Sequence, residues 1–269
     1  MHLISKISNK ALKQVRAARA QKPMVGFVIA GTQKGGTTAL DSFLRQHPAV
    51  CMPANVKETH FFYEDQHFEG LNHLFGPAYS HYHKYFVPSP QTKIVGEASP
   101  SYMWYEKAPE RMYKYNPALK VILILRNPVE RAFSHWNMAT MRESESFDFF
   151  EAIRTERERA RPKQNRTISY IERGFYVAQI RRIQRFFPDS QIKIFLSEDL
   201  RLSHQETLQK IYEFLEISPA SVPPQKIVHE RTYAKKISEE SVSYLRKIFE
   251  PEIKHLELII DRDLSAWLA

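Results

Sequence analysis

The sequence predicts an α/β fold: a single domain with a central, mostly parallel β-sheet flanked by helices. Three observations carry that expectation. Four short β-rich runs, Val25–Ala30, Lys93–Glu97, Lys120–Arg126 and Gln191–Ser197, alternate with helical patterns, the order expected when parallel strands are joined by helical crossovers. The run "KVILILR" is almost continuously apolar, as a strand buried on both faces must be. The stretch "VIAGTQKGGTTALDSFLRQHP" at 28–48 joins a strand, a glycine turn and an amphipathic segment into one unit.

Taken in order, the chain begins with a basic arm, residues 1–23. Lys6, Lys10, Lys13, Arg16, Arg19 and Lys22 precede the first acidic residue, Asp41, and Ile4, Ile7, Ala11 and Val15 recur at roughly helical spacing. Two readings stand: a solvated helix packed on the domain, or a basic helix offered to an anionic surface such as a membrane periphery. The domain proper is expected at 24–269. After Val25–Ala30, helices are expected at Thr38–Gln46, Pro128–Arg142, Phe147–Arg159, Ile168–Phe187 and Thr207–Leu215. Residues 60–88 interrupt the alternation with histidines and aromatics. His81 and His83 lack a cysteine or carboxylate at a ligand spacing, so aromatic packing around a long excursion is expected there and no metal. The charged stretch "RTERERARPKQNR" reads as a helix end running into a loop, or as the edge of a substrate cleft.

Composition bounds the function. The 269 residues are 43% hydrophobic and 26% charged, an ordinary soluble balance, and no run approaches the ~18 apolar residues of a membrane span. Cys51 is the only cysteine, which excludes an internal disulfide and points to a reducing, cytoplasmic setting. The net charge of +9 lies largely on the arm.

The glycine turn carries the chemistry. Gly31 and Gly36 keep the spacing of a nucleotide-triphosphate loop, but Thr37 follows the last glycine and the lysine, Lys34, lies inside the loop. A strand, a glycine turn and a helix N-terminus make an anion site. Gly35 and Gly36 allow close approach, and Thr37 and Thr38 add hydroxyls. In "RNPVERAFSHW" (126–136), Arg126 ends a strand where ligands of parallel sheets bind, and Ser134 lies two turns into the following helix. Two such sets suit a ligand with two separated phosphates.

Together, "GTQKGGTTAL" and "RNPVERAFSHW" resemble the two nucleotide-binding motifs of sulfotransferases that use 3′-phosphoadenosine 5′-phosphosulfate (PAPS). "KETHFF" (57–62), "GEASPSY" (96–102), "FPDSQIKIFLSEDL" (187–200) and "ERTY" (230–233) extend the likeness in the family's order from Met24 onward. The likeness is greatest to the heparan-sulfate-type, carbohydrate branch, and it suggests a bacterial member. The resemblance implies a P-loop-like sulfotransferase fold. It implies that Lys34, Gly35, Gly36, Thr37 and Thr38 hold the 5′-phosphosulfate, that Arg126 and Ser134 hold the 3′-phosphate, and that Arg231, Thr232 and Tyr233 close over the nucleotide. Glu58 matches the family's general base and His60 lines the same pocket, as a catalytic or simply a packed histidine. Glu97 would orient Lys34 or bind the acceptor. Several heparan enzymes carry a lysine where this chain has Ala98, which would remove one acceptor or sulfonate contact, and their disulfide-closed nucleotide loop is impossible here.

The implied partner is a small-molecule or glycan acceptor, with no metal and no nucleic acid. Two rivals remain. A P-loop kinase or NTPase would need a lysine after Gly36 and an acidic Mg²⁺ ligand after a later strand, where this chain has Thr37 and Arg126. A non-enzymatic polyanion-binding module would explain the net charge but not Lys34 or the strand-end pattern.

Overall fold

A computed structural model describes residues 24–69, 79–160, 165–219, 223–224 and 236–269. The basic arm and the 231–233 segment lie outside the described residues. The elements in chain order are β1 (Val25–Gly31), α1 (Thr37–Leu44), β2 (Val50–Cys51), α2 (Tyr79–Tyr82), β3 (Ile94–Ala98), α3 (Ala108–Tyr115), β4 (Lys120–Leu125), α4 (Pro128–Met141), α5 (Phe149–Arg154), α6 (Glu156–Arg159), α7 (Tyr176–Gln184), β5 (Ile192–Leu196), α8 (Ser197–Leu202), α9 (His204–Phe214) and α10 (Glu239–Ile260).

The five strands form one sheet in the order β2-β3-β1-β4-β5, with every pairing parallel. β1 is central: Val28 stands opposite Glu97 on one side and Val121 on the other. Side-chain alternation explains why β1 and β4 are so apolar. Val121, Leu123 and Leu125 join Val28 and Ala30 in a core on one face of the sheet. Ile122 and Ile124 join Phe27 and Ile29 in a second core on the other. The first core is closed by residues of α3, α4, α7 and α10, and the second by residues of α1, α8 and α9. A strand covered on both faces favours apolar residues throughout.

The four expected strands are present to within a residue or so at each end. Ser197 belongs to α8 rather than to the strand before it. The expected helix over Phe147–Arg159 is two helices. Asp148 caps α5 by accepting from the Glu151 amide. At its end the Thr155 hydroxyl donates to the Glu151 carbonyl at 2.7 Å, a back-bond that competes with helix continuation. The expected helix over Ile168–Phe187 starts only at Tyr176, after a 3₁₀ turn at Glu172–Gly174. A Cβ on Gly174 would lie 2.6 Å from Phe249 of α10, so the chain there is fixed by packing rather than by helix propensity.

The sequence reading missed β2, α3, α8 and the 22-residue α10. Pro251 sits inside α10, but Pro251 and Lys247, whose carbonyl loses its donor, are both exposed, so the interrupted turn lies on the solvent side of the helix. In the described parts of the 60–88 excursion, 60–69 and 79–88, aromatic packing is extensive: the Phe61 ring stacks on Tyr82 at 4.6 Å and the Phe62 ring meets Tyr102 and Tyr115 edgewise or tilted. His83 pairs with the Tyr115 hydroxyl at 2.8 Å. Among the described residues no group of three or more His, Cys, Asp or Glu side chains gathers at a metal-binding spacing, and no helix is long and apolar enough to cross a membrane.

Candidate active site

The order of the sheet creates the site. Connections leave β1 and its neighbours in opposite directions, and the carboxyl ends of β1 and β4 meet at that switch point. The loop after β1 is anchored to the end of β4: the Thr32 amide donates to the Ile124 carbonyl at 2.9 Å, and the Gly35 amide donates to Thr32 at 3.0 Å. A Cβ on Gly35 would lie 2.3 Å from that same Ile124 carbonyl, so this glycine is demanded by contact with the sheet beneath rather than by a ligand above. Gly36 differs. It has open space around it but a φ of 107°. Lys34 also has a positive φ, 72°, a conformation that costs a side-chain-bearing residue roughly 1 kcal/mol or more.

From Gly36 the chain enters α1 without a side-chain cap and without an acidic residue in the first turn. The first amides of a helix have no intrahelical acceptor, so Thr37 and Thr38 present an anion-binding end. Across from it, Asn127 caps α4 by accepting from the Val129 amide at 2.9 Å, with Pro128 in the first turn. The Arg126 guanidinium pairs with Glu130 at 2.8 Å and reaches the Lys34 carbonyl at 3.5 Å. The Arg126–Glu130 pair is partly exposed and therefore weak, which leaves the arginine exchangeable to a stronger anion. Ser134, Met138 and Met141 follow at helical spacing along the same side of α4, and Met138 Sδ lies 3.9 Å from Lys34 Nζ.

The opposite wall is the strap after β2. Lys57 pairs with Glu58 at 2.9 Å. His60 Nδ1 lies 3.7 Å from Glu58 Oε2, too far for a hydrogen bond, and has no other hydrogen-bond partner among the described residues. Burial holds the His60 imidazole below its usual pKa, opposed by the Glu58 charge and reinforced by Arg166; the ring is neutral at pH 7. Arg166 donates to the Tyr63 hydroxyl.

Of the residues singled out from the sequence, Lys34, Gly36, Thr37, Thr38, Glu58, His60, Arg126 and Ser134 line one cleft of about 790 Å³. Gly35 lies beneath it. Arg231, Thr232 and Tyr233 lie outside the described residues. Glu97 takes neither of its expected roles: it is fully buried and accepts from four hydroxyls, those of Thr59, Ser99, Tyr82 and Tyr102. Ala98 is buried in the second core with Ile29 and Leu40 and does not line the cleft. Lys57, Tyr63, Met138 and Arg142 line it without having been singled out, and so does Arg166, from the stretch read as a helix end or a cleft edge. Lys57 and Met138 had a signal, one adjoining Glu58 and the other a turn beyond Ser134. Arg166 had one too, as the last residue of that stretch, 154–166.

A family model described as the sulfotransferase domain matches residues 26–256. Human heparan sulfate glucosamine 3-O-sulfotransferase 5 is 28% identical over 214 residues, 78% of this chain and 59% of that protein. Mouse bifunctional heparan sulfate N-deacetylase/N-sulfotransferase 4 is 30% identical over 201 residues, 72% of this chain and 22% of that protein. The chain thus matches under two thirds of the length of these relatives. Among solved structures, a sulfotransferase from Alicyclobacillus acidocaldarius superimposes with a TM-score of 0.79 at 31% identity, covering 91% of this chain and 99% of that one. A mouse sulfotransferase complexed with PAP shares the fold, with a TM-score of 0.53 at 11% identity, covering 88% and 86% of the two chains.

Proposed function

The chain belongs to the sulfotransferase family, and from that premise we propose that it transfers the sulfonate of PAPS to a hydroxyl of a carbohydrate or other metabolite, with an amine as the second choice of acceptor. One observation carries the reading: two separate anion-binding sets and a carboxylate–imidazole pair share one cleft. The residues fit the donor. The uncapped start of α1 with Lys34 suits one anion, and Arg126 with Ser134 suits a second at the end of the neighbouring strand. The mouse neighbour's PAP is the desulfonated form of that donor.

The donor supplies a sulfonate whose bond to the 5′-phosphate is the one that breaks. Lys34 would hold the bridging oxygen and meet the charge that grows there, and the α1 amides would hold the phosphate oxygens. Glu58 would take the acceptor's proton as its oxygen approaches sulfur in line, a contribution on the order of 10²–10⁴ in rate. Lys57, paired at 2.9 Å, fixes one oxygen of that carboxylate and leaves the other toward His60. The neutral imidazole then serves as a hydrogen-bonding group beside the base.

The names of the heparan sulfate relatives support a glycan acceptor. Calorimetry with adenosine 3′,5′-bisphosphate tests the donor site directly: binding tighter than millimolar is expected, and its absence overturns the reading. Labelled donor offered to polysaccharide, glycolipid and small-alcohol pools then identifies the acceptor.

A further inference from the structure

The strap that carries Glu58 and His60 is held from behind by a single carboxylate. Glu97 stands on the central part of the sheet, opposite Val28 of β1, and is fully buried. Its Oε2 accepts from the Thr59 hydroxyl at 2.5 Å and from Ser99 at 2.9 Å. Its Oε1 accepts from Tyr82 at 2.5 Å and from Tyr102 at 3.0 Å. Burial raises the Glu97 pKa, and the four hydroxyl hydrogen bonds oppose that rise by favouring the carboxylate, whose roughly four lone-pair positions they fill.

The direction of these bonds has a consequence. Each hydroxyl has one proton, and giving it to Glu97 turns the oxygen's lone pairs outward. Three of those oxygens face strap amides: Ser99 Oγ accepts from His60 at 3.4 Å, Thr59 Oγ1 from Phe61 at 3.4 Å, and Tyr102 OH from Phe62 at 3.3 Å. Three successive N–H groups are thus received by oxygens whose protons are turned toward Glu97. His60 needs such restraint, since its φ of 58° is unfavourable for a residue with a side chain.

We infer that Glu97 is a positioning residue for the transfer step: its carboxylate polarises a hydroxyl shell that clamps residues 59–62 and so fixes Glu58 and His60 in the cleft. This rests on the function proposed above. A carboxamide at this position has one acceptor oxygen and one NH₂ donor. The two hydroxyls facing the NH₂ lose their acceptor and must turn their protons elsewhere, and at Thr59, Ser99 or Tyr102 this disturbs an oxygen that receives a strap amide. The donor loop is anchored to Ile124 of β4, an element that contributes nothing to the four hydroxyls around Glu97, so ligand affinity is expected to be independent of the clamp.

The test compares the full chain with Glu97→Gln and with Ser99→Ala, a smaller change that removes the acceptor for the His60 amide and one of the four donors to Glu97. Four quantities are read: the unfolding midpoint, adenosine 3′,5′-bisphosphate affinity, hydrogen exchange of the 60–62 amides, and label transfer from PAPS to the polysaccharide and small-alcohol pools. Expected in each folded variant are affinity within about twofold, faster exchange at 60–62, and transfer lowered on the order of 10–10²-fold by the misplaced base, more in Glu97→Gln. Unchanged transfer and exchange in Ser99→Ala, or affinity falling in step with transfer, overturns the inference. Failure of the unsubstituted protein to bind the bisphosphate overturns the proposed function instead, while exchange at 60–62 still decides whether the clamp exists.

Discussion

Lys34 and the glycines after it show how differently three adjacent residues are constrained. Lys34→Ala is expected to leave the unfolding midpoint nearly unchanged and to lower transfer by about 10²–10³, the cost of losing one charge-stabilising donor; full activity in that variant would show that the lysine does not meet the reacting bond. Gly35 and Gly36 separate by cause. Alanine at 35 would drive its Cβ to 2.3 Å from the Ile124 carbonyl, a backbone atom of the sheet that cannot move aside, whereas alanine at 36 meets only strain from a φ of 107°. Thermal melts should therefore show Gly35→Ala as the more destabilising, with Gly36→Ala costing on the order of 1–2 kcal/mol. The opposite order would mean that the loop is not seated on β4. The sequence suggested the same role for both glycines; only the packing tells them apart.

At the scale of elements, α4 connects stability to the site. Its cap, Asn127, also donates to the Trp267 carbonyl at 3.1 Å, so one side chain fixes the start of the helix and ties down the end of the chain. Asn127→Ala is expected to cost about 1 kcal/mol or somewhat more and to weaken adenosine 3′,5′-bisphosphate binding, since Arg126 and Ser134 flank that cap; calorimetry and a denaturant melt measure both. Elements were legible where one physical signal dominated. β1, β3, β4 and β5 are apolar runs whose length and composition admit little else. α4 starts with a proline and a capping asparagine that can be read directly. α10 was not legible because Pro251 reads as a break unless its exposure is known, and β2 because two residues carry no period. The cleft was legible where its residues sit in loops at strand ends, next to glycines or prolines that mark them. Glu97 was visible as a residue but not as a hub, because Thr59 and Tyr82 come to it from separate segments.

Across the whole molecule, a layer of buried cationic and imidazole groups lies behind the cleft. Arg131, Arg173 and His135 are almost completely buried. Burial, then the charges of Arg131, Arg173 and Lys34, holds His135 well below its usual pKa, and burial lowers Arg173 to about 9. The unfolded chain protonates its histidine near 6.5 while the folded protein does not, so the stability that His135 contributes is present above that pH and declines as pH falls below it. His60 acts in the same direction. Glu156 acts oppositely: burial raises it to about 7, so its contribution declines as pH rises from about 4.5 toward 7. The difference between variant and parent isolates one group. His135→Gln should flatten the acid-side loss of unfolding free energy between pH 6.5 and 5, and an unaltered slope in urea melts would show that the ring does not stay neutral.

The central position of β1 also sets an order of assembly. During synthesis its Val25 edge has no partner until Val95 has emerged, and its other edge waits for Lys120 and the rest of β4. The strand that seats the donor loop thus precedes the other strands of the sheet and stays open on one side until β4 is made. Until β4 arrives it is an apolar ribbon with an open backbone edge, the form of nascent chain most prone to pair with a neighbour and most in need of a chaperone's shelter.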